Sequence, residues 1–228
     1  MEIILVRHGE STANAAGVLA GRDDAVELTD RGRAQVREAR ELIPELAGDR
    51  PVDVLTSPIR RCVMTAEELV AAASADAPPH AAPRVVVLDE LAEVDYGDWT
   101  GRAIRELLTE PLWETVRTTP SLARFPGGES LAEVAARARA ALASTCDRAK
   151  EDGAEAVVLV SHGDVIKLML AHALDLDVDR FQRIAVAPAS VSRLVVGKAE
   201  AVPPMTVTML GATARGRRAA TRQPGGGR

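Results

Sequence analysis

Short apolar runs alternate along this chain with longer segments in which apolar residues recur at helical spacing. Residues 2–6, 53–56, 84–88 and 156–160 are rich in Val, Ile or Leu, and we expect each run to form a strand. Helical patterns begin near Asp30, which Thr29 would cap, and near Arg60, Ile104, Leu131 and Asp164. Further apolar runs at 185–196 and 205–210 predict later strands. Repeated strand–helix order indicates an α/β protein with a mostly parallel sheet, which a helical layer covers on each face.

Length and charge divide the chain into a body and a tail. A chain of 228 residues suits one domain, which we expect to span residues 1–210. Residues 211–228 contain five arginines and no acid, and we expect them to form a disordered basic tail. Subtracting those five charges from the net charge of −5 leaves −10 for the body. An acidic body argues against nucleic acid as the main partner.

Several other classes of protein are also disfavoured. Cys62 and Cys146 show no CxxC spacing, so neither a disulfide framework nor a zinc site is indicated. The first apolar run begins within two residues of Met1, which leaves no room for a signal peptide, and no run is long enough to cross a membrane. We therefore expect a cytoplasmic protein without a membrane partner. A homodimer stays open as an alternative to a monomer.

Two of the predicted strands end in histidine. The first apolar run is followed by Arg7, His8, Gly9 and Glu10, and the run at 156–160 by Ser161, His162 and Gly163. A third run leads into Ser57 and the helix near Arg60. Because the carboxyl ends of parallel strands meet at one edge of a sheet, these residues can converge there. Arginines, imidazoles and helix N-termini together form a cradle for a phosphate dianion.

These pieces identify a family. The chain resembles the histidine phosphatase superfamily, in the branch typified by cofactor-dependent phosphoglycerate mutase, and the resemblance covers residues 1 to about 165. The matching residues occur in the family's order: Arg7, His8, Gly9, Glu10, Ser11, Thr12 and Asn14; Leu28, Thr29, Gly32 and Gln35; Ser57, Pro58, Arg60, Thr65 and Ala66; Leu91, Glu93, Gly97, Trp99 and Gly101; Gly128, Glu129 and Ser130; Ser161, His162 and Gly163. Thr100 and Cys62 depart from residues common in the family, which often has Glu and Ala there.

The resemblance implies a fold, a reaction and a set of residue roles. It implies a three-layer αβα sandwich and a phosphomonoesterase that needs neither metal nor cofactor and acts on a small phosphorylated substrate. His8 would be the nucleophile that forms a phosphohistidine. Arg7, Arg60 and His162 would donate to the phosphoryl oxygens. The substrate pocket would also include Asn14, Gly21 and the amide of Gly163.

The general acid is assigned to Glu93. Periodicity does not distinguish it from Asp89, Glu90, Asp95 and Asp98, which lie within a few residues. The resemblance favours Glu93 through its spacing to Gly97, Trp99 and Gly101. In that role Glu93 would protonate the leaving alkoxide and then activate water.

Two other functions remain open at this stage. A mutase would return the phosphoryl group to another hydroxyl of its substrate, and a catalytically silent module would only bind phosphorylated ligands. The complete set of predicted catalytic residues disfavours the silent module. Glycolytic mutases of the family resemble one another in a longer, basic insertion after the Glu motif, whereas residues 101–127 are short here. The sequence therefore favours hydrolysis, with specificity in loops 15–26 and 101–128.

Overall fold

The computed structural model describes residues 1–74, 82–197 and 205–216, and in these ranges one six-stranded sheet forms the centre of the molecule. Its strands are β1 (Glu2–Arg7), β2 (Asp53–Thr56), β3 (Arg84–Val87), β4 (Ala156–Ser161), β5 (Val191–Val196) and β6 (Met205–Ala212). They lie in the order β3-β2-β4-β1-β5-β6. The pairs β2–β3, β2–β4 and β1–β4 are parallel, and β5 pairs antiparallel with β1 and with β6.

Helices cover both faces of this sheet. They are α1 (Thr12–Ala16), α2 (Asp30–Ala39), α3 (Arg60–Ser74), α4 (Ile104–Leu107), α5 (Pro111–Thr118), α6 (Leu131–Glu151) and α7 (Gly163–Ala173). Side chains alternate across β1, so Ile3 and Leu5 join a core with α6 and α7, while Ile4 and Val6 join a second core with α2 and α3. The predicted three-layer α/β sandwich is confirmed.

Some predicted element bounds differ from the structure. The run at 185–196 was expected to be one strand, but β5 begins only at Val191. Ala189 lies in the left-handed region with φ 54°, and its amide donates to the carbonyl of His8. The chain therefore turns beneath the end of β1 before it becomes a strand. Helix α5, which the apolar pattern did not predict, starts at Pro111, whose fixed φ suits a first helical position.

The end of the chain was predicted as a tail from residue 211. The structure continues β6 to Ala212, so the predicted boundary lies inside a strand, and Arg215 Nε donates to Glu38 Oε2 at 3.2 Å. Residues 217–228, with the remaining tail arginines, lie outside the described residues. Cys62 and Cys146 are both free thiols. Within the described ranges, the helices are all too short or too polar to span a bilayer.

Strand order brings the candidate chemistry together. β2, β4 and β1 are adjacent and parallel, and their last residues are aligned, with Arg7 opposite Ser161 and Thr56 opposite Val160. The residues that follow these three strands therefore emerge side by side at one edge of the sheet.

Candidate active site

The two strand-end histidines face one another. His8 follows β1 and His162 follows β4, and their ring centroids are 5.3 Å apart with an interplanar angle of 62°. His8 is 3% exposed and His162 is fully buried. The prediction that these side chains meet is confirmed by this geometry.

The hydrogen bonds of His8 define its tautomer. Nδ1 lies 2.7 Å from the carbonyl oxygen of Gly9, which can only accept, so Nδ1 carries the proton. Nε2 is then unprotonated, and Arg61 Nε donates to it at 3.3 Å. Burial, with the charges of Arg61 and Arg7, lowers the pKa of His8 well below its usual value. The ring is therefore neutral at physiological pH and keeps a lone pair on Nε2, as a nucleophile requires.

The second arginine of the site is Arg61, and the prediction of Arg60 is corrected. Arg61 is 1% exposed and its guanidinium reaches both histidines, since Nη2 donates to Nδ1 of His162 at 3.1 Å. The Arg60 side chain is 46% exposed and pairs with Glu27 at 3.4 Å. The two residues begin α3, where neighbouring positions point about 100° apart, so only one can face the sheet.

Helical periodicity alone does not separate the two arginines. Arg61, Thr65 and Leu69 recur at four-residue spacing and are all buried, but Met64, four residues after Arg60, is buried as well. Thr65 also connects helix α3 to the loop after β1, because its hydroxyl donates to the Arg61 carbonyl and accepts from the Gly9 amide.

Arg7 lies against the N-terminus of α7. Its Nη1 donates to the Val186 carbonyl at 2.8 Å, which fixes the guanidinium. A Cβ on Gly163 would stand 3.3 Å from Arg7 Cζ, so glycine allows this close approach. Buried Arg7 Nε has no hydrogen-bond partner among the described residues, and an unpartnered buried guanidinium donor is suited to an anionic oxygen.

His162 connects Arg61 to Ser57, the residue that follows β2. Because Arg61 Nη2 donates to Nδ1, Nε2 carries the ring proton and lies 2.8 Å from the Ser57 hydroxyl oxygen. Burial and the charge of Arg61 lower its pKa well below the usual value. The Cys62 thiol lies 3.4 Å from Nε2, and burial raises its pKa, so this cysteine is a neutral packing group.

Glu93 is the buried carboxyl at the site. Its Oε1 accepts from the Val94 amide at 3.0 Å, and Oε2 lies 3.8 Å from His162 Nδ1. Burial, followed by the charge of Asp164, raises the pKa of Glu93 to about 7 against the opposing effect of Arg61 and Arg7. The carboxyl can thus hold or release a proton near neutral pH.

The structure separates Glu93 from its sequence neighbours. Asp89, Glu90 and Asp98 are exposed, and half-buried Asp95 uses Oδ1 to accept from the Gly97 amide. Glu93 alone among these five acids is buried beside the histidines.

A network that the sequence did not reveal fixes the backbone around Glu93. Arg137 on α6 donates to the carbonyls of Glu90, Ala92 and Glu93, and its fork also pairs with both oxygens of Glu129. Arg22 donates to the Glu93 carbonyl as well and pairs with Glu129 at 3.0 Å. Glu129 therefore orients two arginines that hold the loop carrying Glu93.

Gly21 and Asn14, the two other residues predicted for the substrate pocket, differ in their contacts. The Gly21 carbonyl accepts from Arg61 Nη2 at 2.7 Å, and its φ of 51° favours glycine. Asn14 is exposed, and its Oδ1 accepts from the Ser11 amide in the capping box of α1. A role for Asn14 in binding phosphate stays a prediction. The described part of the chain contains no group of three or more His, Cys, Asp or Glu side chains suited to hold a metal ion.

Comparison with known proteins agrees with this geometry. A family model described as the histidine phosphatase superfamily, branch 1, matches residues 3–203. Phosphoserine phosphatase 1 of Hydrogenobacter thermophilus is 31% identical over 195 residues, which cover 84% of this chain and 85% of that protein. A probable phosphoglycerate mutase, GpmB, of Proteus mirabilis is 32% identical over 197 residues, which cover 85% of this chain and 84% of that protein.

A solved structure shows the same fold. Mycobacterial glucosyl-3-phosphoglycerate phosphatase, in complex with VO3, superposes with a TM-score of 0.78 at 26% identity, covering 93% of this chain and 99% of that one. The fold, the two opposed histidines and the match over most of the chain lead to one conclusion: this protein belongs to branch 1 of the histidine phosphatase superfamily.

Proposed function

We propose that this protein is a phosphomonoesterase that transfers the phosphoryl group of its substrate to His8 and then to water. The observation that carries the proposal is the state of His8, a buried neutral imidazole whose Nδ1 is held by a carbonyl and whose Nε2 lone pair faces two arginines. Relatives with phosphatase names support hydrolysis as the outcome.

In the first step, Nε2 of His8 bonds to phosphorus while the bond from phosphorus to the ester oxygen breaks. Arg7 and Arg61 donate to the non-bridging oxygens, where charge is carried in the transition state. Glu93 gives its proton to the departing alkoxide, which leaves as a neutral alcohol. The Gly9 carbonyl stabilises the positive charge that the phosphorylated imidazole acquires, because it accepts from Nδ1–H.

In the second step, Glu93 is a carboxylate and accepts a proton from water. The water oxygen bonds to phosphorus, the bond to Nε2 breaks, and His8 returns as a neutral ring with inorganic phosphate as the product. His162 keeps Arg61 in place through Nδ1, and Ser57 fixes its ring from the other side. Neither step needs a metal ion, and metal independence is part of the proposal.

The test is phosphate release from p-nitrophenyl phosphate in excess chelator. We expect turnover in the wild-type protein, and we expect His8→Ala to abolish it. His172→Ala is the matched control, because His172 is an exposed histidine of α7 and should leave turnover unchanged. An alkaline quench followed by intact-mass measurement should show a phosphorylated protein only when His8 is present. Turnover that stops with chelator, or survives in His8→Ala, would overturn the proposal.

A mutase is the second candidate, and the relatives named as probable phosphoglycerate mutases favour it. It uses the same phosphohistidine but returns the phosphoryl group to the bound sugar acid instead of water. Conversion of 3-phosphoglycerate to 2-phosphoglycerate with a bisphosphate primer, without release of inorganic phosphate, would establish the mutase. We expect inorganic phosphate to be the dominant product.

A further inference from the structure

The chain has only five aromatic residues, and four of them line one cavity beside the reaction centre. Tyr96, Trp99, Trp113 and Phe125 wall a cavity of about 350 Å³. The rings form one cluster: Trp99 stacks on Trp113 with centroids 6.0 Å apart, and Phe125 meets Trp99 at 5.3 Å and Tyr96 at 4.8 Å. A protein with so few aromatic side chains has concentrated them around an open space.

The aromatic cavity adjoins the phosphoryl-transfer centre through two segments that serve both. Asp164 follows Gly163, against which Arg7 packs, and its Oδ2 accepts from the Tyr96 hydroxyl at 2.9 Å. On the other side, Leu19 lines the cavity, and the carbonyl of nearby Gly21 accepts from Arg61. The charge of Asp164 also raises the pKa of Glu93, so the lining of the cavity comes close to the carboxyl that would protonate the leaving alcohol.

The cations of this cavity already have acidic partners. Lys167 donates to Asp164 at 3.1 Å and to Gln182 at 3.0 Å, and Arg117 pairs with Glu114 at 2.9 Å. A carboxylate on the substrate would have to displace one of these ion pairs to be recognised. Apolar surface, by contrast, gains free energy here in proportion to the area removed from water.

We propose that the aromatic cavity receives the alcohol part of the substrate, and that this part is aromatic or otherwise apolar and uncharged. The inference rests on the proposed phosphomonoesterase activity and names its substrate class. It distinguishes this protein from an enzyme for O-phosphoserine or 3-phosphoglycerate, in which the alcohol part carries a carboxylate.

The kinetic test compares 2-phenylethyl phosphate with ethyl phosphate. Both esters release a primary alkanol, so the phenyl ring is the main difference between them. Burial of a phenyl group should raise kcat/KM by roughly tenfold to a hundredfold over ethyl phosphate. O-phosphoserine and 3-phosphoglycerate should be hydrolysed no better than ethyl phosphate. A kcat/KM for either acid above that of 2-phenylethyl phosphate would overturn the inference.

The variant test uses Trp113, which is half-buried and lies on α5 away from the reacting groups. Trp113→Ala should reduce the preference for 2-phenylethyl phosphate roughly tenfold and leave kcat/KM for ethyl phosphate unchanged. Leu108→Ala, a 56% exposed position just before α5, is the matched control and should change neither value. An unaltered preference in Trp113→Ala would overturn the inference. If that variant does not fold, Val116→Asp, which puts a charge into the same cavity, must lower the preference instead.

A binding measurement separates failure of the inference from failure of the proposed function. 3-Phenylpropylphosphonate copies 2-phenylethyl phosphate with carbon in place of the ester oxygen and cannot be hydrolysed. Both tryptophans of the chain line the cavity, so this phosphonate should change tryptophan fluorescence on saturation, and propylphosphonate should change it far less. Binding without turnover of any ester would contradict the phosphatase and leave the aromatic subsite supported. Hydrolysis of ethyl phosphate with equal affinity for both phosphonates would contradict the subsite alone.

Discussion

Burial moves the pKa values of the reacting groups in opposite directions, and each direction suits a role in phosphoryl transfer. Burial lowers the pKa of His8, which keeps the nucleophile neutral, and raises the pKa of Glu93 to about 7, which lets a carboxyl act as an acid. Both effects come from removing a charged form from water. The nearby arginines disfavour a proton on His8 and favour loss of the proton from Glu93. At Glu93 desolvation and the arginines oppose each other and desolvation has the larger effect, whereas at His8 they act in the same direction.

The pH dependence of turnover should follow Glu93. Its protonated fraction falls as pH rises through about 7, so kcat/KM for ethyl phosphate, which reports the steps up to phosphoryl transfer to His8, should fall about tenfold per pH unit above that value. Glu93→Gln should remove this alkaline limb and lower kcat/KM for ethyl phosphate by about a thousandfold. For p-nitrophenyl phosphate, whose leaving group departs without a proton, the loss of kcat/KM should stay below about tenfold.

Asp95→Asn is the control for that comparison. Asp95 lies two residues from Glu93 and binds the Gly97 amide, so its loss should affect both esters to the same extent. Equal slowing of the two esters by Glu93→Gln, with the alkaline limb kept, would show that another group is the acid.

The loop that carries Glu93 depends on an element distant in sequence. Residues 89–99 contain two short 3-10 turns, Asp89–Leu91 and Gly97–Trp99, which leave carbonyl groups without helical partners. Helix α6 supplies the donor for three of these carbonyls through Arg137. A planar guanidinium has five N–H donors in a fixed geometry, enough for three carbonyls and a carboxylate, whereas an ammonium has only three donors.

Arg137→Lys should therefore misplace Glu93 without touching the substrate. We expect about a tenfold loss of kcat/KM for ethyl phosphate, a smaller loss of kcat/KM for p-nitrophenyl phosphate, and a shift of the alkaline limb. Arg139→Lys, an exposed position two residues along α6, should leave all three quantities unchanged. If Arg137→Lys lowers both esters equally and the limb stays in place, the arginine has only a structural role.

Prediction from sequence succeeded where a local pattern has one physical cause. The apolar runs became β1, β2 and β4 because a strand buried on both faces must be apolar, and two of those runs located His8 and His162. The run at 84–88 became β3, an edge strand that is largely exposed. Prediction failed where contacts between distant segments determine which residue reaches the site. Arg60 and Arg61 are equivalent as residue types, and only the packing of α3 against the sheet selects one. Arg137 likewise gave no local signal, since the carbonyls that it binds lie more than forty residues away.

At the scale of the whole molecule, an oxyanion bound between Arg7 and Arg61 would connect both helical layers to the sheet. Arg61 begins α3 on one face, and Arg7 packs against the start of α7 on the other. A ligand that binds the folded state alone raises the free energy of unfolding, by about 2.7 kcal/mol at a hundred times its Kd. For a chain of this length, that corresponds to a rise in Tm of roughly 5–10 °C.

Inorganic phosphate at that concentration should therefore raise the Tm of the wild-type protein, as measured by calorimetry. Arg61→Met should abolish the rise, and Arg60→Met should retain it, because the Arg60 side chain is exposed and pairs with Glu27. Arg61→Lys supplies a milder variant with the positive charge kept, and it should show a reduced rise if Arg61→Met does not fold. If Arg60→Met abolishes the rise in Tm and Arg61→Met does not, then Arg60 is the second arginine of the site, as the sequence first indicated. The comparison decides between two adjacent residues of one type, because only the buried one can bind the anion from inside the fold.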